Sequence, residues 1–298
     1  MGPGKTPTLT VIIPTYRRHG ELMRTVGDLR NQDADSFDVL IIDQTPDVPE
    51  SVREWFHSLP ENYRYLRKEE PSLPGARNLG AQHAKGEIWL FVDDDVRLPV
   101  HFISAHLGNY VDPTVMAVAG PILSPEMRWK SKLPKGACHP LYGQWVGCWQ
   151  YDRRWDVRHA PGGNHSYRSV VYESAGRYDE NFTGPALREE SDFFLRVVKA
   201  GFRIVYDPRS WLVHVVGDTN GGCRGGGMWY QYDQRCLNHA YFVLKNFRGD
   251  ELRLFFDHAR SSLLTREALC RPWSLPRRLS GLLSSWKHAR AIIRIALR

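Results

Sequence analysis

Short apolar segments rich in β-branched residues alternate with amphipathic segments over the first 120 residues of this 298-residue chain. Continuous apolar runs at residues 9–14 and 37–43 are typical of strands that are buried on both faces of a sheet. A shorter strand is expected at residues 63–66 and another at residues 87–95, with helices between them. This βαβαβαβ pattern predicts an α/β fold with an open, mostly parallel sheet, in which ligands bind beyond the carboxyl ends of the strands.

Acidic residues end two of these predicted strands. Asp43 ends the second strand, and Asp93, Asp94 and Asp95 end the last one. A single carboxylate at such a place is explained equally well by a helix N-cap or by a ligand contact, so both interpretations of Asp43 stay open. Three consecutive carboxylates after a buried strand repel one another, and a bound cation relieves that repulsion. The cluster therefore favours a metal site.

The second half of the chain is less regular. Residues 121–160 are rich in Trp, Tyr, Gly and Pro, and aromatic loops of this kind either cap a sheet edge or stack on carbohydrate or lipid. Residues 217–227 are rich in glycine, which is typical of a mobile surface loop, and residues 221–227 form a candidate lid over a bound nucleotide. They do not form a P-loop, because the GxxxxGK[ST] pattern is absent.

The net charge of +7 is concentrated at the C-terminus. Residues 271–298 contain seven Lys and Arg and no Asp or Glu, so the rest of the chain is neutral overall. A neutral body argues against a nucleic-acid partner, which requires basic residues over a docking face. Apolar residues recur at helical spacing over residues 275–298, flanked by basic ones. This pattern predicts either a terminal helix that docks on the body or a helix that lies on an anionic membrane surface.

Cysteine usage and hydropathy indicate a cytoplasmic protein. The five cysteines are an odd number without CxxC spacing, so neither a disulfide framework nor a zinc site is expected. No apolar run approaches the roughly 20 residues that span a bilayer, and residues 1–8 lack the apolar core of a secretory signal. We expect a cytoplasmic location, peripheral on the inner face of the membrane if the C-terminal helix binds lipid.

Several segments occur in a fixed order and together resemble the family 2 inverting glycosyltransferases of the GT-A fold. They are VIIPTYRR, VLIID, GARNLGAQHAKGEIWLFVDDD, GGNHSYR, GRYDENF and EESDFFLRVVKAGFRIVYDP, followed by His214, and they extend over about four fifths of the chain. The resemblance implies a Rossmann-like three-layer αβα domain at residues 1–247, with a nucleotide-binding half at 1–120 and an acceptor and catalytic half at 121–247. It leaves residues 248–298 as a basic helical C-terminal extension.

The resemblance also implies where the donor nucleotide and a metal ion bind. Nucleotide contacts are expected from Pro14, Thr15, Tyr16, Asp43, Arg77, Asp93 and Asp94. Among these, Asp43 accepts a hydrogen bond from the base, and Arg77 reaches the phosphates. Ligands of Mn²⁺ or Mg²⁺ are expected at Asp95, Asp93 and His214. Many relatives have a second acid directly after the position of Asp43, whereas this chain has Gln44, so the nucleotide base stays open, with UDP favoured.

The resemblance places a catalytic base at the start of a helix near residue 188. Direct displacement with inversion needs one carboxylate on the acceptor side to take the hydroxyl proton. Glu190 falls at the position of the family's usual aspartate, and Glu189 and Asp192 are alternatives. Acids that do not act as the base would stabilise the helix N-terminus. The loop under the donor sugar and near the acceptor matches Gly162, Gly163 and Asn164.

The expected function is therefore the metal-dependent, inverting transfer of a single sugar from a nucleoside-diphosphate sugar to a hydroxyl of a glycan or lipid-linked acceptor. Polymer synthesis is disfavoured because the QxxRW motif is absent, and the nearest string is QYDQRC at residues 231–236. Two alternatives stay open. One is a sugar nucleotidyltransferase, although PTYRRHG is not the glycine-rich, basic loop that such enzymes have. The other is a catalytically silent nucleotide-sugar or glycan-binding protein.

Overall fold

The computed structural model describes residues 8–124, 138–139, 144–145, 151–215, 227–265, 268 and 270–296. The candidate lid at residues 221–227 lies outside the described residues except for Gly227, and so does most of the aromatic segment at 121–160.

Strands and helices are numbered here in chain order within the described residues. The strands, β1 to β13, are Leu9–Thr15, Phe37–Asp43, Tyr63–Arg67, Ile88–Val92, Val96–Arg97, Val115–Ala119, Ile122–Leu123, Cys138–His139, Gln144–Trp145, Trp155–Val157, Asn164–Arg168, Arg203–Tyr206 and Leu212–His214. The helices, α1 to α9, are His19–Leu29, Glu50–His57, Leu73–His83, Phe102–Leu107, Ser169–Ala175, Glu189–Lys199, Met228–Asn246, Glu251–Leu263 and Leu275–Ala296.

An eight-stranded mixed sheet forms the centre of the fold, in the order β10-β12-β6-β11-β4-β1-β2-β3. β1 pairs in parallel with β2 and β4, β2 pairs in parallel with β3, and β12 pairs in parallel with β6. The sequence did not predict that β11 inserts antiparallel between β4 and β6, or that β10 lies antiparallel on β12. The expected α/β fold with a mostly parallel sheet is confirmed.

The sheet is covered on both faces, which explains the continuous apolar runs. In β1, Leu9, Val11 and Ile13 belong to one hydrophobic cluster and Ile12 to the other, because successive side chains of a strand point to opposite faces. All four side chains are fully buried. Helices α1, α2 and α4 contribute to the first cluster, and α3, α5 and α6 contribute to the second. The result is the expected three-layer αβα arrangement.

A third hydrophobic cluster joins α7, α8 and α9. Leu282, Trp286 and Ala289 of α9 are buried in it together with Ala240 and Val243 of α7. The apolar stripe of the last helix therefore docks on the body, which is one of the two arrangements that its sequence predicts. The cluster also spans the expected boundary at residue 247, since α7 precedes that boundary and α8 follows it. In the described part of the chain, no helix is long and apolar enough to cross a membrane.

We expect Leu282→Ala to lower the free energy of unfolding by about 2–5 kcal/mol, since it truncates a fully buried leucine and leaves a cavity between α9 and α7. Its neighbour Leu283 is 52% exposed, so Leu283→Ala is the matched control and should change stability by no more than about 0.5 kcal/mol. Urea unfolding followed by circular dichroism measures both. Equal effects of the two substitutions would contradict the docking of α9.

Candidate active site

The carboxyl ends of β1, β2 and β4 open into a cleft of about 350 Å³. Its lining includes seven residues that the sequence predicted for the site: Pro14, Thr15, Tyr16, Asp93, Asp94, Asp95 and His214. It also includes seven residues that the prediction did not assign to the site: Arg18, Gln44, Leu73, Pro185, Leu187, Gln231 and Arg235. The structure thus brings much of the predicted nucleotide and metal site together at the expected edge of the sheet.

The three aspartates lie in the turn between β4 and β5 and not within a strand, because β4 ends at Val92. The Thr15 hydroxyl donates a 2.7 Å hydrogen bond to Oδ2 of Asp94. Arg18 donates to Oδ1 of Asp94 at 3.2 Å and also to Oδ2 of Asp95. Arg18 was detectable in the sequence as a basic residue in the loop after β1, at the same sheet edge as the aspartates.

The aspartate turn carries an excess of negative charge in a poorly solvated place. Burial raises the pKa of Asp93, and it raises the pKa of Asp94 to about 7. The guanidinium of Arg18 opposes both shifts, while the neighbouring carboxylate of Asp95 adds to them. A bound cation would favour the ionised form of all three carboxyl groups.

Asp95 and His214 form the pair best suited to a metal ion, with Nε2 of His214 lying 3.3 Å from Oδ2 of Asp95. Pairing of β13 with β5 sets this distance, since His214 lies opposite Val96 in the antiparallel register. Among the described residues, no group of three or more His, Cys, Asp or Glu is arranged to hold a metal ion by itself. Hard divalent cations are commonly completed by substrate phosphates and water. The donor set therefore fits a cation that binds together with a phosphorylated ligand.

Asp43 is buried behind the cleft and does not line it. Its Oδ2 contacts Nε2 of His19 at 2.9 Å and accepts a 3.2 Å hydrogen bond from the Tyr65 hydroxyl. Burial by itself would raise the pKa of Asp43, but the hydrogen bonds from His19 and Thr45 hold it below its ordinary value. The nearest helix downstream begins only at Glu50, so Asp43 does not act as a helix N-cap.

Gln44, in place of the second acid of many relatives, connects two loops of the cleft. Its Nε2 lies 3.4 Å from the carbonyl oxygen of Thr15, and its Oε1 accepts a 2.7 Å hydrogen bond from the backbone of Ser72, the N-cap of α3. The amide suits this bridge because it both donates and accepts, whereas an ionised carboxylate only accepts. Gln44 therefore holds the loop after β1 next to the start of α3.

Arg77, which the resemblance expects to reach the phosphates, is buried and is not among the residues that line the cleft. It is the bulkiest of the deeply buried side chains, and it forms an ion pair with Glu189. Its Nη2 donates a 2.8 Å hydrogen bond to the carbonyl of Gly162, and its guanidinium lies 5.6 Å from the ring centre of Tyr178. Arg77 thus connects α3 to the start of α6 and to the loop before β11.

The three acids at the start of α6 have different surroundings. Glu189 is 1% exposed and pairs with Arg77. Asp192 is fully buried, and its two oxygens accept hydrogen bonds of 2.9 Å from Lys245 and Asn246 of α7. Glu190 alone makes no ion pair with a described residue; its Oε1 lies 3.3 Å from the Ser191 hydroxyl. Burial raises the pKa of Glu190, although the charges of nearby arginines oppose the shift.

The loop that leads into α6 has an unusual backbone. Ala186 and Arg188 have φ angles of 46° and 81°, in the left-handed region that residues with a Cβ seldom adopt. Pro185 and Leu187 of the same loop line the cleft. Backbone outliers of this kind occur preferentially at functional sites, where the surrounding structure enforces them. The sequence contains no signal for this conformation, because neither residue is a glycine or asparagine.

The loop at residues 162–164 supports the cleft from below. A Cβ added to Gly163 would lie 2.1 Å from Oδ2 of Asp93. Any side chain at residue 163 would therefore displace this carboxylate. Asn164 is fully buried, and its amide donates 2.8 Å hydrogen bonds to the carbonyls of Pro121 and Ser210. Asn164 therefore fixes the backbone under the cleft and does not reach into it.

The first turns of α7 contribute two residues that sequence reasoning missed. Gln231 and Arg235 are four positions apart on one face of the helix, and both line the cleft. Arg235 is exposed and forms no ion pair with a carboxylate of the described chain. In the sequence, QYDQRC resembles only an imperfect copy of a polymer-synthase motif. In the structure, its first glutamine and its arginine line the cleft.

The fold and the position of the cleft place this chain among α/β proteins that bind ligands at the carboxyl ends of parallel strands. Within that class, the sequence model of the family described as "Glycosyl transferase family 2" matches residues 10–174, more than half of the chain. The chain belongs to this family and is a glycosyltransferase, as its ordered segments indicated.

Individual relatives are distant. A glucosyl-dolichyl phosphate glucuronosyltransferase of Haloferax volcanii is 23% identical over 220 residues, which cover 69% of this chain and 68% of that protein. The putative glycosyltransferase EpsH of Bacillus subtilis is 25% identical over 115 residues, and the match covers 38% of this chain and 33% of EpsH.

Two solved structures share the fold, and the expected GT-A architecture is confirmed. One is the mannosyltransferase PcManGT of Pyrobaculum calidifontis in complex with GDP-Man and Mn²⁺, with a TM-score of 0.59, 20% identity, and coverage of 99% of this chain and 81% of that one. The other is GalNAc-T7 with UDP, GalNAc and Mn²⁺, with a TM-score of 0.61, 16% identity, and coverage of 87% and 52%.

A double-mutant cycle tests the buried pair under the cleft. Arg77→Met or Glu189→Gln alone should lower the free energy of unfolding by about 3–5 kcal/mol, because each leaves a buried charge without its partner. The double variant should lose less than the sum of the two. The exposed pair Arg53 and Glu50, 3.3 Å apart, is the matched control, and its cycle should show coupling of at most about 0.5 kcal/mol. Additive losses at Arg77 and Glu189 would contradict the pairing.

Proposed function

We propose that this chain is a metal-dependent, inverting glycosyltransferase that moves a single sugar from a nucleoside-diphosphate sugar to a hydroxyl of a glycan or lipid-linked acceptor. The observation that carries the proposal is the Asp95–His214 pair, 3.3 Å apart beside two further aspartates in the cleft. Such a pair can hold Mn²⁺ or Mg²⁺ only with ligands from the substrate, and the diphosphate of a sugar donor supplies them.

The donor lies in the cleft with its nucleotide against the loop after β1. Pro14, Thr15 and Tyr16 line that wall, and Asp93 and Asp94 lie beside it. Asp43 contributes from behind by orienting His19, with which it is in contact. The two solved neighbours are complexes with GDP-Man and with UDP, each together with Mn²⁺. They support a nucleoside diphosphate, and we favour UDP.

The departing diphosphate is held by cationic groups of the cleft. Asp95 and His214 would hold a divalent cation, which would supply Lewis acidity toward the phosphate oxygens in place of a general acid. Arg235 adds a guanidinium that no described carboxylate neutralises, and Arg18 adds a second one beside Asp94. Guanidinium groups bind phosphate oxygens through two parallel hydrogen bonds, which also orients the donor.

Glu190 takes the proton of the acceptor hydroxyl as that oxygen attacks the anomeric carbon. Glu189 and Asp192 are engaged by Arg77 and Lys245, whereas Glu190 has no cationic partner in contact among the described residues. Burial raises the pKa of Glu190, which brings it closer to neutral pH and makes it a stronger base once ionised. One carboxylate acting in one displacement inverts the configuration of the anomeric carbon.

The acceptor and the location complete the proposal. The Haloferax volcanii relative is named for glucosyl-dolichyl phosphate, a lipid-linked sugar, and this supports a lipid-linked acceptor here. We also propose a catalytic GT-A domain at residues 1–247 and a helical extension at residues 248–298. A cytoplasmic location is proposed because the pattern of cysteines does not indicate disulfide bonds.

We expect one nucleoside diphosphate among UDP, GDP, dTDP, CDP and ADP to raise the melting temperature by about 5 °C at 100 times its dissociation constant, and only with Mn²⁺. Asp95→Asn should abolish the shift, since it removes a ligand of the cation. The exposed Asp35 gives the matched control Asp35→Asn, which should keep the shift. A folded protein that responds to no nucleotide, with or without Mn²⁺, would contradict the donor site.

We expect Glu190→Gln to lower the transfer rate by about 10²–10⁴-fold, because the amide cannot accept the hydroxyl proton. The variant should fold as well as the wild type at pH 7. The folded state raises the pKa of Glu190, so its ionised form costs stability above the pKa of the unfolded chain.

Initial rates with saturating donor and the nucleotide melting shift together measure the effect of Glu190→Gln. Glu173→Gln, at an exposed acid of α5, is the control and should be fully active. A fully active Glu190→Gln would exclude Glu190 as the base.

A further inference from the structure

A second concave surface lies between α8 and α9 at the end of α7. This α8–α9 groove has a volume of about 910 Å³, and its floor contains Leu244, Phe255, Leu283 and Trp286. The ring of Phe255 packs edge-on against Trp286, with the ring centres 4.9 Å apart. The groove is therefore a formed surface that α8 and α9 create together.

Large apolar side chains stand exposed at the margin of this groove. Leu252 of α8 is 70% exposed and Ile295 of α9 is 75% exposed, and both line the groove. Phe256 lies on the same face of α8 as Leu252, one turn further on, and is 60% exposed. Single exposed apolar residues are ordinary, but a contiguous apolar patch next to a groove indicates a contact surface.

The same margin is basic. Lys287, Arg290 and Arg294 follow one another at spacings of three and four residues, so they share one side of α9, and all three line the groove. None forms an ion pair with a carboxylate of the described chain. Glu251 is the one acidic residue among the described lining residues. A partner that is complementary to this surface must therefore have both negatively charged groups and apolar surface.

This surface is distinct from the apolar stripe by which α9 docks. Leu282 and Ala289 are buried in the cluster with α7 and do not line the groove, whereas Leu283, Lys287, Arg290 and Arg294 line it and lie on the adjoining side of the helix. The buried ring of Trp286 lies between the two and contributes to both. The docking of α9 thus uses one side and leaves the other available. The sequence alone could not separate these sides, because both contribute to the same apolar and basic pattern.

We propose that the α8–α9 groove and its margin dock on an anionic lipid bilayer. Exposed leucine, isoleucine and phenylalanine side chains enter the interface, while the basic side chains extend toward anionic headgroups. Arg235 in the cleft and Leu244 in the groove are nine residues apart on α7, a rise of about 14 Å. Docking would therefore keep the cleft near the headgroups. The proposal does not rest on the proposed transfer reaction.

Co-sedimentation of the full chain with vesicles tests the proposal. Binding is expected to vesicles of phosphatidylcholine mixed with phosphatidylglycerol, to weaken with added salt, and to be absent with phosphatidylcholine alone. The triple variant Lys287→Glu, Arg290→Glu, Arg294→Glu should bind about 100-fold more weakly, as expected for about 1 kcal/mol per basic residue. The variant Leu252→Ser, Phe256→Ser, Ile295→Ser should also lose binding, although its charge is unchanged.

The matched control reverses three exposed basic residues on other helices and loops: Arg53→Glu, Lys85→Glu and Lys199→Glu. It carries the same change in net charge and should bind vesicles within about threefold of the wild type. A far-ultraviolet circular dichroism spectrum and a cooperative thermal transition verify that every variant is folded.

Three results would overturn the proposal. The first is equal binding of the groove variant and the control. The second is binding to phosphatidylcholine vesicles that is insensitive to salt. The third is a dimer in light scattering that the Leu252, Phe256 and Ile295 variant abolishes, since a second copy of the chain would then occupy the groove.

Discussion

The guanidinium of Arg77 connects three segments beneath the candidate active site. It pairs with Glu189 at the start of α6, holds the carbonyl of Gly162 before β11, and rests on the ring of Tyr178. Its charge also lowers the pKa of both Asp93 and Glu190, against the effect of burial. The charge of Arg77 therefore favours the ionised form of both carboxyl groups. The arrangement depends on Glu189, because an unpaired charge at this depth is strongly destabilising.

The acids of this site divide into those that hold the structure and those left for chemistry. Asp192 connects α6 to α7 through Lys245 and Asn246, and Asp43 orients His19. Glu190 receives no such contact from a cationic side chain of the described residues, and the aspartate turn faces open cleft. These carboxylates have similar intrinsic pKa values. The side chains that contact each of them therefore decide whether it holds the structure together or stays available for chemistry.

Helix α7 connects the catalytic cleft to the C-terminal helices. Its first turns supply Gln231 and Arg235 to the cleft, and its last turns supply Leu244 to the α8–α9 groove. α9 runs beside it in the same direction, with the Tyr232 hydroxyl bonded to the carbonyl of Arg278 near the start of both helices. α7 therefore contributes residues both to the cleft and to the α8–α9 groove.

The sequence by itself determined the strands of the first half, the mostly parallel character of the sheet and the sheet edge at which the site lies. Apolar runs such as β1 and β2 identify buried strands through local residue pattern alone, and parallel strands deliver Asp43 and Asp93–Asp95 to one edge. The ordered segments also identified the family, because each segment meets a local requirement of the same fold.

Only the tertiary structure decided what each side chain does at that edge. Local pattern does not show that β11 inserts antiparallel between β4 and β6, because a strand's neighbours are chosen by contacts far away in the chain. It does not show that Arg77 turns inward to Glu189, or that Lys245 pairs with Asp192 and not with Glu190. Charge state and availability depend on burial and on neighbours distant in sequence, and these exist only once the chain has folded.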